Sequence, residues 1–204
     1  MEKVLVTGAT GYIALHCVQQ LLDQGYAVNG SIRSPERKNE VIEALKNSGT
    51  STENLNLFVF DLTNDEGWDD GMEGCDYLLH VASPLALENH TEDYFVKPAV
   101  AGAKRALKFA KKHGVKKVVL TSSVAAIFET GEEKVFYDES DWSDPDNPNI
   151  SNYAKSKTLA EKAAWEFLKE EGDPFDFAVI NPALVIGPSL SCLLYTSDAA
   201  DDQL

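Results

Sequence analysis

The fold is decided by the stretch Val4–Ala14, which reads VLVTGATGYIA. The apolar run Val4–Thr7 is typical of a buried strand, and apolar residues at helical spacing over Tyr12–Gln24 predict a helix. Gly8 allows the tight turn between the two elements, and Gly11 lets the backbone approach a ligand without a Cβ in the way. Strand, glycine-rich turn and helix in this order predict a site for a dinucleotide pyrophosphate, because free N–H groups and the positive end of a helix attract phosphate.

The rest of the chain alternates short apolar runs with helical patterns. Five more strands are predicted, at Tyr26–Arg33, Leu55–Asp61, Tyr77–Ala82, Lys117–Ser122 and Phe175–Asn181. Three more helices are predicted, at Glu36–Asn47, Asp93–His113 and Ser151–Glu171. A short polar segment around Trp68 joins two strands, and a long loop rich in Asp, Asn, Ser and Pro runs to Ile150. Strands separated by helices predict an α/β fold, a doubly wound parallel sheet of the Rossmann type.

Composition and charge exclude several classes of protein. The 204 residues are 44% apolar and 25% charged, as in an ordinary globular chain, and no apolar run is long enough to span a bilayer. The net charge of -15 argues against a nucleic-acid partner, because phosphate backbones require a basic surface. Three cysteines at no metal-like spacing favour a reducing compartment, so we expect a cytoplasmic location and no membrane partner.

The last residues differ in character from the rest of the chain. From Cys192 the sequence resembles a sequencing adapter translated as if it were coding. We therefore expect residues 192–204 to be a non-native tail and residues 1–191 to be the dinucleotide-binding domain. On this interpretation the chain is a C-terminally truncated fragment.

The end of the second predicted strand distinguishes between the two nicotinamide cofactors. An NAD site usually carries an acidic residue there, which binds the ribose 2′-hydroxyl. This chain has Gly30–Arg33 with no acid, and Arg37 and Lys38 follow. A guanidinium fits a 2′-phosphate that a carboxylate would repel. The sequence therefore predicts NADP(H).

A serine, a tyrosine and a lysine form the candidate catalytic group. Tyr153 and Lys157 lie one turn apart on a predicted helix, and Ser122 and Ser123 end a predicted strand at the edge where such sheets bind ligands. A serine hydroxyl can hold a carbonyl oxygen, and a tyrosine phenol can protonate it. A nearby ammonium, together with the charge of an oxidised nicotinamide, is expected to lower the phenol pKa. The four histidines are dispersed, so no metal site is predicted.

These motifs together resemble the extended short-chain dehydrogenase/reductase family, which is NAD-dependent epimerase/dehydratase-like. The closest branch contains dihydroflavonol 4-reductases, cinnamoyl-CoA reductases and methylglyoxal or aldehyde reductases. The resemblance rests on Thr7–Ala14, Arg33, Asp61–Leu62, His80–Pro84, Leu120–Ser123, Asp138–Trp142, Tyr153–Lys157 and Asn181–Pro188.

The resemblance implies roles for individual residues. Ser123, rather than Ser122, matches the catalytic serine, Tyr153 the proton donor, and Lys157 a catalytic residue that also binds the nicotinamide ribose. The implied cofactor-binding residues are Gly8, Thr10, Gly11, Tyr12, Ile13, Arg33, Arg37, Asp61, Leu62, Val81, Ala82, Ser83, Tyr153, Lys157, Pro182, Leu184 and Val185. Among these, Arg33 and Arg37 match 2′-phosphate positions, and Asp61 and Leu62 match adenine contacts.

Two departures from the family qualify this assignment. Many members carry an asparagine where this chain has Ala101, which puts a proton relay through that position in doubt. The family also continues after Gly187–Pro188 into a C-terminal substrate lobe, so we expect that lobe to be missing and the fragment to be weakly active or inactive.

The predicted function is NADPH-dependent reduction of an aldehyde or ketone to an alcohol, with a small carbonyl compound as the substrate. Two alternatives stay open. One is a nucleotide-sugar epimerase or dehydratase that uses NAD, against which Arg33 argues. The other is a regulator that senses NADP(H) without turnover, against which the intact Ser123, Tyr153 and Lys157 argue. The sequence leaves the oligomeric state open between a monomer and a homodimer.

Overall fold

Six parallel strands form one sheet in a computed structural model that describes residues 1–84, 91–130 and 134–191. The strands are β1 (Lys3–Val6), β2 (Ala27–Ile32), β3 (Leu55–Val59), β4 (Tyr77–His80), β5 (Lys117–Thr121) and β6 (Asp176–Ile180). Their order across the sheet is β3-β2-β1-β4-β5-β6. The first three strands extend the sheet toward one edge and the last three toward the other, so the strand order reverses between β1 and β4. The sheet is doubly wound, as predicted from the sequence, and this order opens a crevice at the carboxyl ends of β1 and β4.

Six α-helices accompany the strands in the part of the chain that the structure describes. They are α1 (Tyr12–Asp23), α2 (Lys38–Asn47), α3 (Trp68–Met72), α4 (Glu92–Lys112), α5 (Ala125–Phe128) and α6 (Asn152–Glu171). A short 3-10 helix, Pro35–Arg37, precedes α2. No helix within the described ranges is long and apolar enough to cross a membrane.

The sheet is covered on both faces, which explains its apolar strands. Val4 and Val6 of β1 pack with the buried residues of α1 and α2, whereas Leu5 between them packs with Trp68 and Phe109 from α3 and α4 on the opposite face. Successive side chains of a strand point to opposite faces, so an uninterrupted apolar run serves two cores.

Two short helices were not predicted. The polar segment around Trp68 forms α3, in which Trp68 is fully buried. Its indole Nε1 donates a hydrogen bond to the Asp61 carbonyl oxygen at 2.8 Å, and its ring stacks on Phe109 at 5.7 Å between centroids. These contacts join residues distant in sequence, which periodicity does not detect. The second helix, α5, lies within the predicted long loop, where its four residues give too little pattern.

Helix α6 packs against α4, and this packing places Tyr153 and Lys157 of α6 at the crevice. Small residues meet at this contact: Ala99, Ala103 and Ala160 form one buried cluster. Small side chains allow two helices to approach closely, so Lys157 is buried beside α4. The helix ends at Gly172, which has the left-handed φ of +71° that suits glycine.

Candidate active site

A single cleft of about 1290 Å³ opens at the carboxyl edge of the sheet. All predicted site residues except Arg37 line it. They are Gly8, Thr10, Gly11, Tyr12, Ile13, Arg33, Asp61, Leu62, Val81, Ala82, Ser83, Ser123, Tyr153, Lys157, Pro182, Leu184 and Val185. Residues more than 170 positions apart thus share one wall, because parallel strands place their following loops at the same edge.

The glycine turn brings the start of α1 to this cleft. Gly8 has a φ of +72°, and a Cβ there would lie 3.1 Å from the Ala82 Cβ, so a larger residue would strain both the backbone and the neighbouring loop. Gly11 is the N-cap of α1 and supplies no side-chain cap. The first N–H groups of the helix therefore face the cleft with the positive end of the helix dipole, which fits a pyrophosphate.

The two arginines predicted to bind the 2′-phosphate both follow β2, but their surroundings differ. Arg33 is exposed on the cleft, and within the described ranges it has no acidic partner. Arg37, in contrast, binds Glu40 with both arms of its guanidinium, at 2.9 and 3.1 Å. Arg33 is thus positioned to bind an anion in the cleft, whereas the Arg37 guanidinium is held by a carboxylate of its own segment.

Asp61 orders the loop that follows β3. Its Oδ1 accepts hydrogen bonds from the Thr63 N–H at 2.6 Å and the Thr63 hydroxyl at 2.7 Å. The Thr63 hydroxyl is the main reason that the pKa of Asp61 lies below its usual range. Leu62 next to it packs against Gly102 of α4, where any added Cβ would come within 3.0 Å of the Leu62 side chain. The loop is therefore fixed at the rim of the cleft.

Thr7 holds the loop after β4. Its Oγ1 accepts hydrogen bonds from the Val81 and Ala82 N–H groups, each at 3.0 Å. It also lies 2.9 Å from Nδ1 of His80. Since the two amides occupy both lone pairs of the hydroxyl, Thr7 donates its proton to Nδ1, and the neutral His80 ring carries its own proton on Nε2. Burial lowers the pKa of His80 to about 3, and Lys157 adds to the effect.

Ser123, Tyr153 and Lys157 converge on the same wall. The Ser123 Oγ accepts a hydrogen bond from the Ala125 N–H at 3.1 Å, which leaves its own proton for the Tyr153 phenol. The Lys157 Nζ lies 5.7 Å from the centroid of the Tyr153 ring. Burial lowers the pKa of Lys157 to about 8, while the nearby Glu161 carboxylate opposes that shift.

The pKa of Tyr153 departs from the sequence-based expectation. Burial raises the pKa of the phenol above its ordinary value, and the hydrogen bond with Ser123 offsets only part of that effect. In the protein alone the shift is therefore opposite in direction to the one predicted from the ammonium. Desolvation is the largest cause of the shift, and the Lys157 ammonium, whose Nζ lies 5.7 Å from the ring centroid, is not among the groups that lower the pKa of the phenol.

A capping arrangement fixes the start of α6. The Glu129 carboxylate accepts hydrogen bonds from the Ser151 N–H at 3.0 Å and the Ser151 hydroxyl at 3.1 Å. The same hydroxyl accepts a bond from the Ala154 N–H at 3.1 Å. Glu129 follows α5, so the unpredicted short helix helps to position Tyr153 two residues beyond the cap.

The doubt about position 101 is settled by geometry. Ala101 is exposed on α4, whereas Ala99 and Ala103 line a small cavity beside Lys157. Position 101 therefore lies on a different face of α4 from the two residues that face Lys157.

Sequence reasoning missed several residues of the cleft. These are Ser31, Phe60, Thr63, Tyr94, Pro98, Val124, Ile186 and Ser189. Ser31 carries the clearest role, since its Oγ accepts a hydrogen bond from the Gly8 N–H at 2.8 Å and fixes the glycine turn to β2. Ser31 lies two residues before Arg33 in the predicted second strand, and this position is the sequence signal that could have identified it. Among the described residues, no group of three or more His, Cys, Asp and Glu side chains is arranged to hold a metal.

Comparison with known proteins agrees with this geometry. Residues 4–197 match the NAD dependent epimerase/dehydratase family. The chain belongs to this family. The match confirms the resemblance read from the motifs, and it ends six residues beyond the predicted domain boundary at 191.

Several of the proteins to which the chain is similar are reductases. It is 41% identical to a cinnamoyl-CoA reductase of Medicago truncatula, over 97% of this chain and 62% of that protein. The structure of yeast methylglyoxal/isovaleraldehyde reductase Gre2 complexed with NADPH superposes with a TM-score of 0.80 at 34% identity, covering 92% of this chain and 59% of that one. Vestitone reductase from alfalfa gives 0.80 at 35%, covering 95% and 60%. The chain thus spans about 60% of the length of these relatives.

Proposed function

We propose that this chain is the NADP(H)-binding part of a carbonyl reductase, which converts an aldehyde or ketone into the corresponding alcohol. The observation that carries the proposal is that Ser123, Tyr153 and Lys157 line the same cleft as the glycine turn and Arg33. The relatives support it, since cinnamoyl-CoA reductases and an NADPH complex of an aldehyde reductase are among them.

The cleft suits a phosphorylated dinucleotide at three points. The uncapped start of α1 faces it with free N–H groups, Gly8 and Gly11 leave room at the turn, and Arg33 offers a guanidinium without an acidic partner. We assign the remaining lining residues, among them Asp61, Leu62, Val81–Ser83, Pro182, Leu184 and Val185, to the same cofactor. When bound, NADPH supplies a hydride.

The side chains of this chain handle the substrate oxygen. Ser123 donates a hydrogen bond that positions the carbonyl oxygen beside the Tyr153 phenol. The raised pKa of Tyr153 keeps the phenol protonated at neutral pH, which is the state that a proton donor in the reductive direction requires. Lys157 places a positive charge one helical turn away, which balances the phenolate left after proton transfer.

The wider assignment follows from the same residues. In the reverse direction the alcohol would give its hydroxyl proton to the Tyr153 phenolate and bound NADP⁺ would accept the hydride, so the enzyme would be an NADP-dependent oxidoreductase in both directions. We also propose the cytoplasmic location that the cysteine usage of the sequence predicts.

The experiment compares Tyr153→Phe with wild type in the intact gene product. NADPH oxidation by methylglyoxal and isovaleraldehyde is followed by absorbance, and NADPH binding by fluorescence. We expect turnover to fall at least about 10²-fold while NADPH affinity changes less than about threefold. Tyr26→Phe, at the far end of α1, is the matched control. Undiminished turnover in Tyr153→Phe would rule out the proton-donor role.

A further inference from the structure

A second, much smaller cavity lies behind the catalytic candidates. It has a volume of about 20 Å³ and is lined by residues of β4, β5, α4 and α6. Its polar and charged lining residues are His80, Ser83, Thr121, Ser122, Lys157 and Glu161. A cavity needs roughly 10–15 Å³ and two to four polar partners to hold one water molecule, so this one is built for a single water.

Ser122 points to the same occupant. Ser122 is 5% exposed, and its Oγ is one of two buried side-chain oxygen atoms in the described chain that have no hydrogen-bond partner. A buried hydroxyl without a hydrogen-bond partner destabilises the fold, and a water in the adjoining cavity would provide that partner. Ser122 is the serine that the family resemblance left without a catalytic role.

Glu161 is a buried acid with a fixed carboxylate. It is 7% exposed and lies one helical turn after Lys157 on α6. Its Oε2 accepts a hydrogen bond from the Asn181 Nδ2 at 2.9 Å, and its Oε1 accepts one from the Trp165 Nε1 at 3.4 Å. A carboxylate has about four acceptor positions, so these two bonds hold it in place and leave capacity for a third partner.

Glu161 supplies the negative charge that faces Lys157. The other titratable groups around the ammonium are His80 on β4, which is neutral because burial lowers its pKa to about 3, and Tyr153, a neutral phenol with a raised pKa. Glu161 and Lys157 make no direct ion pair in the described chain, yet both line the small cavity. Burial lowers the pKa of Lys157 to about 8, close enough to neutrality for a nearby charge to decide its protonation state.

We propose that Glu161 is a positioning residue that keeps the Lys157 ammonium charged through one water molecule, which the small cavity binds together with the Ser122 hydroxyl. This inference rests on the proposed function for the importance of a charged Lys157. It goes beyond that function because it assigns a role to two residues outside the catalytic ones, Glu161 and Ser122, and to the small cavity.

The test measures the protonation of Lys157 directly, by pH titration of the lysine side-chain NMR signals, with Lys157→Arg to assign the resonance. In Glu161→Gln, which keeps the shape and the acceptor for Asn181, we expect the pKa of Lys157 to fall from near 8 to about 7 or below, a proton affinity at least tenfold weaker. Glu166→Gln, an exposed acid on the same helix, is the control and should leave it unchanged. An unaltered Lys157 titration in Glu161→Gln overturns the proposal.

Two further measurements keep the proposal testable if Glu161→Gln does not fold. Glu161→Asp retains the charge and should keep the pKa of Lys157 within about 0.5 of the wild-type value. Ser122→Val fills the cavity while Glu161 remains, and should lower the pKa of Lys157 if the water carries the coupling. A high-resolution crystal structure without a water between Ser122 and Lys157 would overturn the water site.

The titration is independent of turnover, so the two proposals fail separately. If Lys157 loses proton affinity in Glu161→Gln but Tyr153→Phe still turns over, the inference about Glu161 stands and the proposed function is wrong. If Tyr153→Phe is inactive and Lys157 titrates normally in Glu161→Gln, the inference alone is wrong.

Discussion

The Thr7 Oγ1 lies 2.9 Å from the His80 Nδ1, and this contact ties the loop after β1 to the end of β4. The same oxygen accepts the N–H groups of Val81 and Ala82. One hydroxyl thus satisfies three partners at the point where the strand order reverses and the cleft opens. At their functional ends the two central strands are thus joined by this side chain in addition to the backbone bond from the Thr7 N–H to the Leu79 carbonyl oxygen at 3.0 Å.

Replacing this hydroxyl tests its importance. Thr7→Val preserves the shape but leaves the Val81 and Ala82 amides and His80 without their partner. We expect the free energy of unfolding to fall by about 2–4 kcal/mol, measured by urea denaturation. Thr158→Val is the matched control, because the equally buried Thr158 donates a single bond, to the Ala154 carbonyl oxygen, and its loss should cost less than about 1 kcal/mol. Equal effects of the two variants would contradict the role of Thr7.

The buried neutral His80 should make the protein sensitive to acid. In the unfolded chain a histidine binds a proton below about pH 6.5, whereas folded His80 does so only near pH 3. Between these values the unfolded state binds more protons, so stability decreases as pH falls, by at most about 5 kcal/mol from this group. We expect His80→Gln to lose less stability than wild type from pH 6.5 to 4. His16→Gln, at a partly exposed position, should retain the wild-type dependence.

The two arginines after β2 should differ in their effect on the cofactor. Arg33→Ala removes an unpaired guanidinium from the cleft, so NADPH affinity should fall about 10- to 100-fold while NADH affinity changes less than about twofold. Arg37→Ala should weaken NADPH binding less than about threefold, because Glu40 already holds that guanidinium. Fluorescence titration of both cofactors with each variant measures these differences. A wild-type preference for NADH would refute the assignment of Arg33.

The N-cap residue of α6, Ser151, should stabilise the folded protein through the hydrogen bonds of its hydroxyl group. Ser151→Ala removes the hydroxyl that accepts the Ala154 N–H and donates to Glu129, so the free energy of unfolding should fall by about 1 kcal/mol. Thr91→Ala is the control, since Thr91 precedes α4 in the same N-cap position without a side-chain bond to the helix. Thermal unfolding of both variants provides the comparison, and a loss in Thr91→Ala as large as in Ser151→Ala would argue against the cap.

Local patterns were sufficient for the sheet and for the choice of cofactor class. The apolar runs, the glycines at 8 and 11 and the helical spacing are consequences of neighbouring residues, so they can be read in order along the chain. The same holds for Tyr153 and Lys157, whose spacing puts them one helical turn apart whatever surrounds them. The short helix at Trp68 was missed because its burial depends on Phe109, about forty residues away in sequence.

By itself, the sequence determined a parallel doubly wound sheet with a glycine turn after its first strand and a tyrosine and lysine on one helical face, since each of these follows from patterns within a few residues. Only the tertiary structure decided which groups meet across the crevice. It left Arg33 without an acidic partner among the described residues, turned Ala101 to solvent, raised the pKa of Tyr153 and put Glu161 beside the cavity of Lys157. The physical reason is desolvation: charge, hydrogen bonding and pKa depend on what excludes water around a group, and distant segments of the chain supply those surroundings.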